Sequence, residues 1–295
     1  MLRALLKTMR PRQWTKNAFI FASLVFDGKL FHLTDFLRTL AGFGLFCIIS
    51  STVYIFNDIL DLEADRQHPV KRDRPIASGR LPIPVAIGVG SLFALGTLVA
   101  GYFLAWQFAL VLLTYFIMML VYSIWLKHIP ILDVMILAAG FLLRVHAGTT
   151  LIVVDRFSPW LYVIMTLLAL YLGFGKRRAE LAMLAESSAD PQFNGSFRKV
   201  LDGYTIALVD QFITIVSGTT IVAYSLYTFF RPDAPSNHSL MLTIPFVVYA
   251  VFRYLYLIQV KHIGGEPEEI LLTDRPFQLA IALWGLTILA VFYLR

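Results

Sequence analysis

The stretch Tyr54–Gly79, YIFNDILDLEADRQHPVKRDRPIASG, decides how the rest of the chain can be organised. It continues from an apolar run, becomes acidic, then basic, and ends at a glycine. Read as a helix, it repeats Asn57, Asp61 and Asp65 every four residues and places Asp58 on the same face. Three carboxylates and an amide stacked over two turns repel one another unless a positive charge lies among them. The stretch therefore predicts a cation site at the end of an apolar helix.

Mg²⁺ suits this set, since it takes oxygen ligands and usually bridges one or two carboxylates to the phosphates of a substrate. The predicted metal ligands are Asp58, Asp61 and Asp65, and Asn57 orients water or a phosphate oxygen without adding charge. Basic residues that a polyphosphate requires follow directly: Lys71, Arg72, Arg74 and Arg80. The alternative is a helix end whose acids and bases pair across a solvated loop. Because the acids continue directly from an apolar run, the site is favoured.

The composition of the chain is that of an integral membrane protein. Of its 295 residues 58% are hydrophobic and only 15% charged, whereas a soluble domain is nearer 25% charged. The single cysteine, Cys47, lies in an apolar run and cannot form an intrachain disulfide. The net charge of +6 is concentrated at the ends of apolar runs. Topology and anionic lipid headgroups explain that distribution better than a nucleic-acid partner does.

The hydropathy pattern predicts nine spans of about 20 residues, the first being the weakest because Asp27 and Lys29 fall inside it. The predicted spans are residues 17–33, 36–58, 82–103, 105–126, 130–151, 158–175, 203–229, 240–260 and 276–294. With a cytoplasmic N-terminus, eighteen of the 25 lysines and arginines lie on the cytoplasmic side and five on the opposite side. This excess follows the positive-inside rule. We expect one all-α transmembrane domain over residues 1–295 in the inner (plasma) membrane, with its site facing the cytoplasm.

Two further polar segments lie on the predicted cytoplasmic side. RPRQWTKN, residues 10–17, is either an interfacial anchor or a segment that adds Arg10, Lys16 and Asn17 to a phosphate site. The second segment follows the sixth predicted span and carries Lys176, Arg177, Arg178 and Glu180. Three consecutive bases spread around a helix, so one or two of them face any pocket and the others meet headgroups.

Arg144 and Arg253 fall within predicted spans. Ionisable residues at membrane depth are costly and normally face the bundle interior or a watery cavity. Two interpretations of Arg144 stay open: it reaches a lipid phosphate, or it is paired within the bundle.

These residues resemble the UbiA superfamily of intramembrane prenyltransferases. The pattern N-D-x-x-D-x-x-x-D is present as Asn57, Asp58, Asp61 and Asp65, and RPIASG follows at residues 74–79. The resemblance implies a UbiA-like bundle of nine helices in which this motif binds Mg²⁺ and a diphosphate in a cytoplasm-facing cavity. Members that prenylate aromatic rings also carry a second aspartate-rich motif after the sixth helix. This chain departs from them there, since that position holds KRRAEL.

One branch of the superfamily, the decaprenyl-phosphate phosphoribosyltransferases, resembles this sequence over most of its length. The branch shows R-P-x-Q-W-x-K-N, H-P-x-K-x-x-R-P, K-R-R-x-E-L and G-E-P-E…D-R, which occur here at residues 10–17, 68–75, 176–181 and 265–275. This resemblance implies Mg²⁺-dependent transfer of 5-phosphoribosyl from phosphoribosyl diphosphate (PRPP) to a polyprenyl phosphate in the bilayer. It also implies catalytic roles for Asn57, Asp58 and Asp61.

The basic residues named above complete the expected substrate site. Lys16, Lys71, Arg74, Lys176, Arg177, Arg178 and Glu180 are the predicted substrate-binding residues. The rival functions are an aromatic prenyltransferase of the same superfamily and a membrane transporter with Arg144 and Arg253 in its pathway.

Overall fold

A computed structural model describes the chain except for residues 69, 155–157, 188–198, 232–237, 262–266 and 294–295. Over the described residues the fold is helical and contains no β-strand. The α-helices are α1 (Leu2–Met9), α2 (Ala22–Phe26), α3 (Leu33–Leu60), α4 (Leu62–Gln67), α5 (Ile83–Leu104), α6 (Trp106–Ile124), α7 (Leu132–Thr149), α8 (Pro159–Ser187), α9 (Ile206–Phe230), α10 (Ile244–Gln259), α11 (Pro267–Thr273) and α12 (Arg275–Tyr293). The 3₁₀ helices are Pro11–Phe21, Lys71–Asp73, Leu126–His128, Lys199–Gly203 and Ser239–Thr243.

Within the described part of the chain, eight helical segments are long and apolar enough to cross a membrane. They are α3, α5, α6, α7, α8, α9, α12 and α10 together with the 3₁₀ turn that precedes it. Each corresponds to one of the predicted spans from the second to the ninth. Their outward faces carry leucine, isoleucine and phenylalanine side chains that are more than one-third exposed. Such exposure is expected where the solvent is lipid, so the fold is that of an all-α integral membrane protein.

The first predicted span, residues 17–33, has a different structure. It falls on the 3₁₀ helix Pro11–Phe21 and the short helix α2. A 3₁₀ helix rises about 2.0 Å per residue against 1.5 Å for an α-helix. Residues 11–26 therefore extend over roughly 30 Å, about the thickness of the hydrocarbon core. The prediction of about nine spans is consistent with eight long helices and this extended segment.

Close packing against α7 accounts for the path of this segment. A Cβ atom at Gly148 would collide with the carbonyl oxygen of Ile20, so only glycine allows the two backbones to approach. Asp27 is buried, and Lys29 pairs with it at 3.0 Å. The two charges that weakened the sequence-based prediction thus neutralise each other at the end of the segment.

The chain forms two compact units. The first contains α1 to α6 and most of α7, and its core includes Ile20, Phe46, Ile49, Phe108 and Leu112. The second contains α8 to α12. The expectation of a single domain over residues 1–295 stays a prediction.

In the second unit, aromatic residues join α8 to α10. The rings of Tyr171 and Tyr254 lie 5.1 Å apart, and the Tyr171 hydroxyl donates to the carbonyl of Val251 at 2.7 Å. A Cβ atom at Gly175 would meet the Tyr254 hydroxyl at 2.6 Å. Glycine at this position therefore allows the close contact between the two helices.

Single cysteines introduced into a Cys47→Ser background test the crossing of the first segment. We expect Leu2→Cys and Gln67→Cys to react with a membrane-impermeant maleimide from the cytoplasmic side. His32→Cys, whose native side chain is 68% exposed, should react from the opposite side. Reaction of Leu2→Cys and His32→Cys from the same side would show that residues 11–26 do not cross.

Candidate functional site

The polar residues at the end of α3 stack as their spacing predicts. Asp61 terminates α3, yet the backbone hydrogen bonds from Asp61 to Asn57 (2.9 Å) and from Asp65 to Asp61 (2.8 Å) carry the helical pattern into α4. The side chains follow the same pattern, since Asn57 Nδ2 donates to Asp61 Oδ2 at 3.0 Å. The acids therefore line one face across the junction of α3 and α4.

Two of these acids are buried and share an arginine. Asp58 and Asp65 are 2% and 3% exposed. Arg74 donates from one terminal nitrogen to Asp58 Oδ1 at 3.2 Å and to Asp65 Oδ2 at 2.6 Å. Arg10 donates to the same Asp58 oxygen at 2.5 Å. Because the charged carboxylates are paired and hydrogen-bonded, the cost of burying them is partly offset.

The turn after α1 places Arg10 next to Asp58. The Arg10 backbone is left-handed, with φ 52° and ψ 63°, and its guanidinium lies 4.6 Å from the centre of the Tyr54 ring. Ser51 fastens this turn to α3, because its hydroxyl donates to the carbonyl of Met9 at 3.0 Å. Trp14 reaches the same hydroxyl at 3.0 Å through its indole N–H. The start of the chain is thus a structural part of the site.

Arg74 is positioned by the turn that RPIASG forms. Ile76 and Leu81 are 1% exposed and pack in a core with Ile55 from α3. Gly79 has φ 74°, a conformation that L side chains rarely adopt, and its amide closes the turn on the carbonyl of Ile76 at 3.1 Å. A buried turn therefore fixes the backbone from which Arg74 extends.

Asp61 has a partner that the sequence reasoning missed. Lys127, in the 3₁₀ helix between α6 and α7, forms a hydrogen-bonded ion pair with Asp61 Oδ1. In the sequence, Lys127 contributed only to the excess of positive charge on the cytoplasmic side. One signal was available: Lys127 is the single lysine or arginine in the short polar connection between two spans. Three cations from three segments of the chain thus reach the three aspartates.

The donor set fits a hard cation. Mg²⁺ binds carboxylate oxygens and retains waters, and Asp58, Asp61 and Asp65 supply such oxygens within two turns. Among the described residues, no group of three His, Cys, Asp or Glu side chains converges as a metal site. Arg10 and Arg74 contact Asp58 Oδ1, Arg74 also contacts Asp65 Oδ2, and Lys127 contacts Asp61 Oδ1. A metal ion that binds through one of these oxygens therefore displaces the cation that contacts it.

The other basic residues predicted in this unit differ in exposure. Lys16 and Lys71 are half-buried, whereas Arg72 and Arg80 are exposed. Arg80 is engaged in its own turn, since Nε donates to Ser78 Oγ at 2.9 Å and a terminal nitrogen reaches the carbonyl of Asp73.

The segment KRRAEL lies in the second unit, and α8 extends through it as far as Ser187. The helix therefore continues beyond the predicted span, residues 158–175, through residues 176–181. Arg178 donates to Asp210 Oδ1 at 2.7 Å and to the carbonyl of Ile258 at 2.9 Å, which ties α8 to α9 and α10. Arg177 is 1% exposed and pairs with Glu180, while Lys176 is half-buried. Roles for these four residues in substrate binding stay predictions.

Arg253 is paired with an acid near the end of the chain. Its guanidinium donates to Asp274 at 3.1 and 2.8 Å, and Asp274 also accepts the amide of Phe277 at 2.8 Å at the start of α12. The Arg253 hydrogen bond, with that amide, holds the pKa of Asp274 below its usual value against the opposing effect of burial. Of the G-E-P-E…D-R motif, residues 265 and 266 lie outside the described residues.

His68 organises the turn that carries Lys71. Its Nδ1 accepts the backbone amides of Val70 at 3.1 Å and Lys71 at 3.2 Å, which requires that nitrogen to be unprotonated. Burial, and then the positive charge of Lys71, lower the pKa of His68 below its ordinary value of 6.5. Neutral His68 therefore stabilises the turn above the ordinary pKa, and this contribution is lost as the pH falls through the lowered pKa.

We expect acid to loosen this turn in a way that depends on His68. Hydrogen exchange at the amides of Val70 and Lys71, corrected for the intrinsic rate, should accelerate between about pH 7.5 and about pH 5.5. His68→Asn offers an acceptor oxygen that does not titrate, so its corrected exchange should stay flat. An equal acceleration in His68→Asn would assign the effect to another group.

The sequence and the fold of this chain are similar to those of known proteins. The family model of the UbiA prenyltransferase family matches residues 18–175. A decaprenyl-phosphate phosphoribosyltransferase of Mycolicibacterium smegmatis is 34% identical over 99% of this chain and 93% of its own. A decaprenyl-phosphate phosphoribosyltransferase of Corynebacterium glutamicum is 30% identical over 98% of this chain and 87% of its own.

The fold also matches a solved structure. A UbiA homolog from Archaeoglobus fulgidus, bound to DMAPP and Mg²⁺, superposes with a TM-score of 0.71 at 17% identity over 99% of both chains. At that identity the likeness concerns the fold. The resemblance found in the sequence is confirmed.

Proposed function

Since this chain belongs to the UbiA prenyltransferase family, we propose that it transfers 5-phosphoribosyl from PRPP to a polyprenyl phosphate and releases diphosphate. The observation that carries the proposal is similarity at 34% and 30% identity to two phosphoribosyltransferases over nearly the whole chain. The site supports it, because three aspartates and three cations meet at the end of a membrane-spanning helix. This set of charges suits a diphosphate held through a metal ion.

The proposed reaction is a substitution at C1 of the ribose. The bond from C1 to the diphosphate oxygen breaks, and an oxygen of the polyprenyl phosphate forms the new bond to C1. The acceptor phosphate is already anionic at neutral pH, so the attack requires no general base. Arg10, Arg74 and Lys127 provide N–H donors close to the aspartates, where they bind phosphate oxygens and orient C1 toward the acceptor.

We assign the metal to Asp58, Asp61 and Asp65. Mg²⁺ bound there supplies Lewis-acid stabilisation of the charge that develops on the departing diphosphate. Asn57 fixes Asp61 through its 3.0 Å hydrogen bond and adds no charge. Asp65 can bind the metal through Oδ2 only after Arg74, which contacts that oxygen at 2.6 Å, has moved. The proposed site faces the cytoplasm. Water-soluble PRPP therefore reaches it from the cytoplasm, and the lipid acceptor reaches it from the bilayer.

The direct test is turnover with labelled donor. Purified protein, Mg²⁺, PRPP labelled in the ribose and farnesyl phosphate as a short acceptor should yield label in the organic phase. Diphosphate should be released in equal amount, and EDTA should stop the reaction reversibly. If PRPP gives no lipid product while a prenyl diphosphate and an aromatic acid are consumed together, the protein is instead an aromatic prenyltransferase. Flux of a solute into liposomes without chemical turnover would identify a transporter.

A further inference from the structure

Arg144 is a buried cation that the proposed chemistry does not yet use. It lies on α7, is 6% exposed, and belongs to the first unit together with all of its partners. Its Nε donates to Asn17 Oδ1 at 2.7 Å. Its terminal nitrogens donate to the carbonyl of Gly140 at 2.7 Å and to the hydroxyl of Tyr115 at 2.9 Å. The guanidinium is therefore held in a defined orientation.

In the part of the chain that the structure describes, the hydrogen bonds of Arg144 all go to neutral groups. The rings of Phe46, Tyr115 and Phe141 also lie close, with centres 5.3, 4.8 and 5.4 Å from the guanidinium carbon. The Cys47 thiol interacts electrostatically with Arg144 as well. By contrast, Arg10 and Arg178 each contact a carboxylate. A buried cation at membrane depth is costly, and an anion is the partner that offsets the cost.

The geometry leaves capacity for such an anion. A guanidinium has five N–H donors, and the three hydrogen bonds use one on each nitrogen, so each terminal nitrogen retains one. Lys16 adds a second positive charge, since it precedes Asn17 in the chain and interacts electrostatically with Tyr115. Arg144 thus contacts the Tyr115 hydroxyl, Lys16 adds positive charge to the same region, and all three groups can donate to a phosphate.

The position of this cluster relative to the aspartates indicates which phosphate it binds. Asn17 Nδ2 donates to Ser50 Oγ at 3.1 Å, and Ser50 lies eight residues before Asp58 on the same helix. Eight residues correspond to about 12 Å of helix. The cluster therefore lies nearer the middle of the α3 span than Asp58 does. In the proposed function the lipid acceptor comes from the bilayer, so its phosphate is expected on this side of the aspartates.

We propose that Arg144, with Lys16 and Tyr115, binds the phosphate group of the polyprenyl phosphate acceptor. This inference rests on the proposed function and assigns the acceptor to its own cationic subsite, separate from the carboxylates that serve the donor. The half-buried ring of Phe141, 5.4 Å from the guanidinium carbon, is the apolar group that we assign to the first isoprene unit beside that phosphate. The alternative is a purely structural role, in which the hydrogen bond from Arg144 to Asn17 holds residues 11–21 against α7.

The experiment compares acceptor and donor kinetics in Arg144→Met and Arg144→Lys. Arg144→Met should raise the KM for farnesyl phosphate by roughly ten- to hundred-fold, the effect of one charge-assisted phosphate contact, with the KM for PRPP changed less than about twofold. Arg144→Lys retains the charge and should recover part of the loss. Arg38→Met is the matched control, because it removes an exposed arginine of the same unit that bonds only the carbonyl of Leu104.

A binding measurement distinguishes a phosphate-binding role of Arg144 from a purely structural role. Farnesyl phosphate should raise the thermal midpoint of the wild-type protein more than farnesol does, and Arg144→Met should lose this difference. If Arg144→Met does not fold, Tyr115→Phe replaces it, since this change retains the ring and removes one donor. It should reduce the difference between the thermal midpoints measured with farnesyl phosphate and with farnesol.

A lower midpoint with an unchanged KM for farnesyl phosphate, in whichever of these variants folds, would overturn the inference. Wild-type protein that transfers nothing from PRPP would refute the proposed function instead. The role of Arg144 could then still be tested by binding alone, by comparing how much farnesyl phosphate and farnesol raise the thermal midpoint.

Discussion

Turnover is expected to fall by about a thousandfold in the Asp61→Asn variant while the protein still folds. The amide has nearly the same shape as the carboxylate and can still accept the hydrogen bond from Asn57. It loses the charge that binds a metal ion and that pairs with Lys127. A thousandfold corresponds to about 4 kcal/mol of transition-state stabilisation, the scale of a Lewis-acid contribution.

Glu63→Gln is the matched control for this substitution. Glu63 lies two residues further along the chain, its side chain is 76% exposed, and it pairs with Arg66 away from the site. Its loss should change turnover less than about twofold. Mn²⁺ binding followed by electron paramagnetic resonance reports on the metal independently of activity, and binding should weaken in Asp61→Asn alone. Near-wild-type turnover of Asp61→Asn across a Mg²⁺ titration would exclude Asp61 as a ligand.

The second large effect is expected for Arg74→Met. This change removes a cation that contacts two buried carboxylates and leaves Asp58 with Arg10 and Asp65 without its 2.6 Å partner. Breaking a buried ion pair typically costs 3–5 kcal/mol. We expect about 3 kcal/mol, the low end, because a quarter of the Arg74 side chain is exposed. Thermal or denaturant unfolding in detergent should show the loss, and turnover should fall with it.

Two further variants show whether the effect is specific to Arg74 and whether it depends on more than the positive charge. Arg72→Met removes an exposed arginine from the same loop and should leave the unfolding midpoint nearly unchanged. Arg74→Lys keeps the charge but loses the planar donor fork, so an intermediate stability is expected. Equal stability of Arg74→Met and Arg72→Met would show that the two aspartates do not depend on Arg74.

Much of the fold followed from the order of apolar residues. A span needs about 20 of them and a helix repeats every 3.6 residues, so spans two to nine and the stacking of Asn57, Asp61 and Asp65 were predictable. The first segment was predicted as a span but not as a 3₁₀ helix. In the structure this segment packs against α7, where Gly148 allows the backbone of Ile20 to approach closely. Likewise, α8 continues past the apolar run because its charged residues pair with one another and with α9.

The sequence by itself determined the membrane class, the helical periods and which acids share a face. Each of these depends on residues close together in the chain, whose relative positions the backbone geometry dictates. The tertiary structure alone decided the partners of those acids, since Arg10 and Lys127 lie 48 and 66 residues from the aspartates that they contact. It also decided that Arg144 meets Asn17 across 127 residues. Contacts at such separations arise only when packed helices bring the segments together, and no local pattern encodes them.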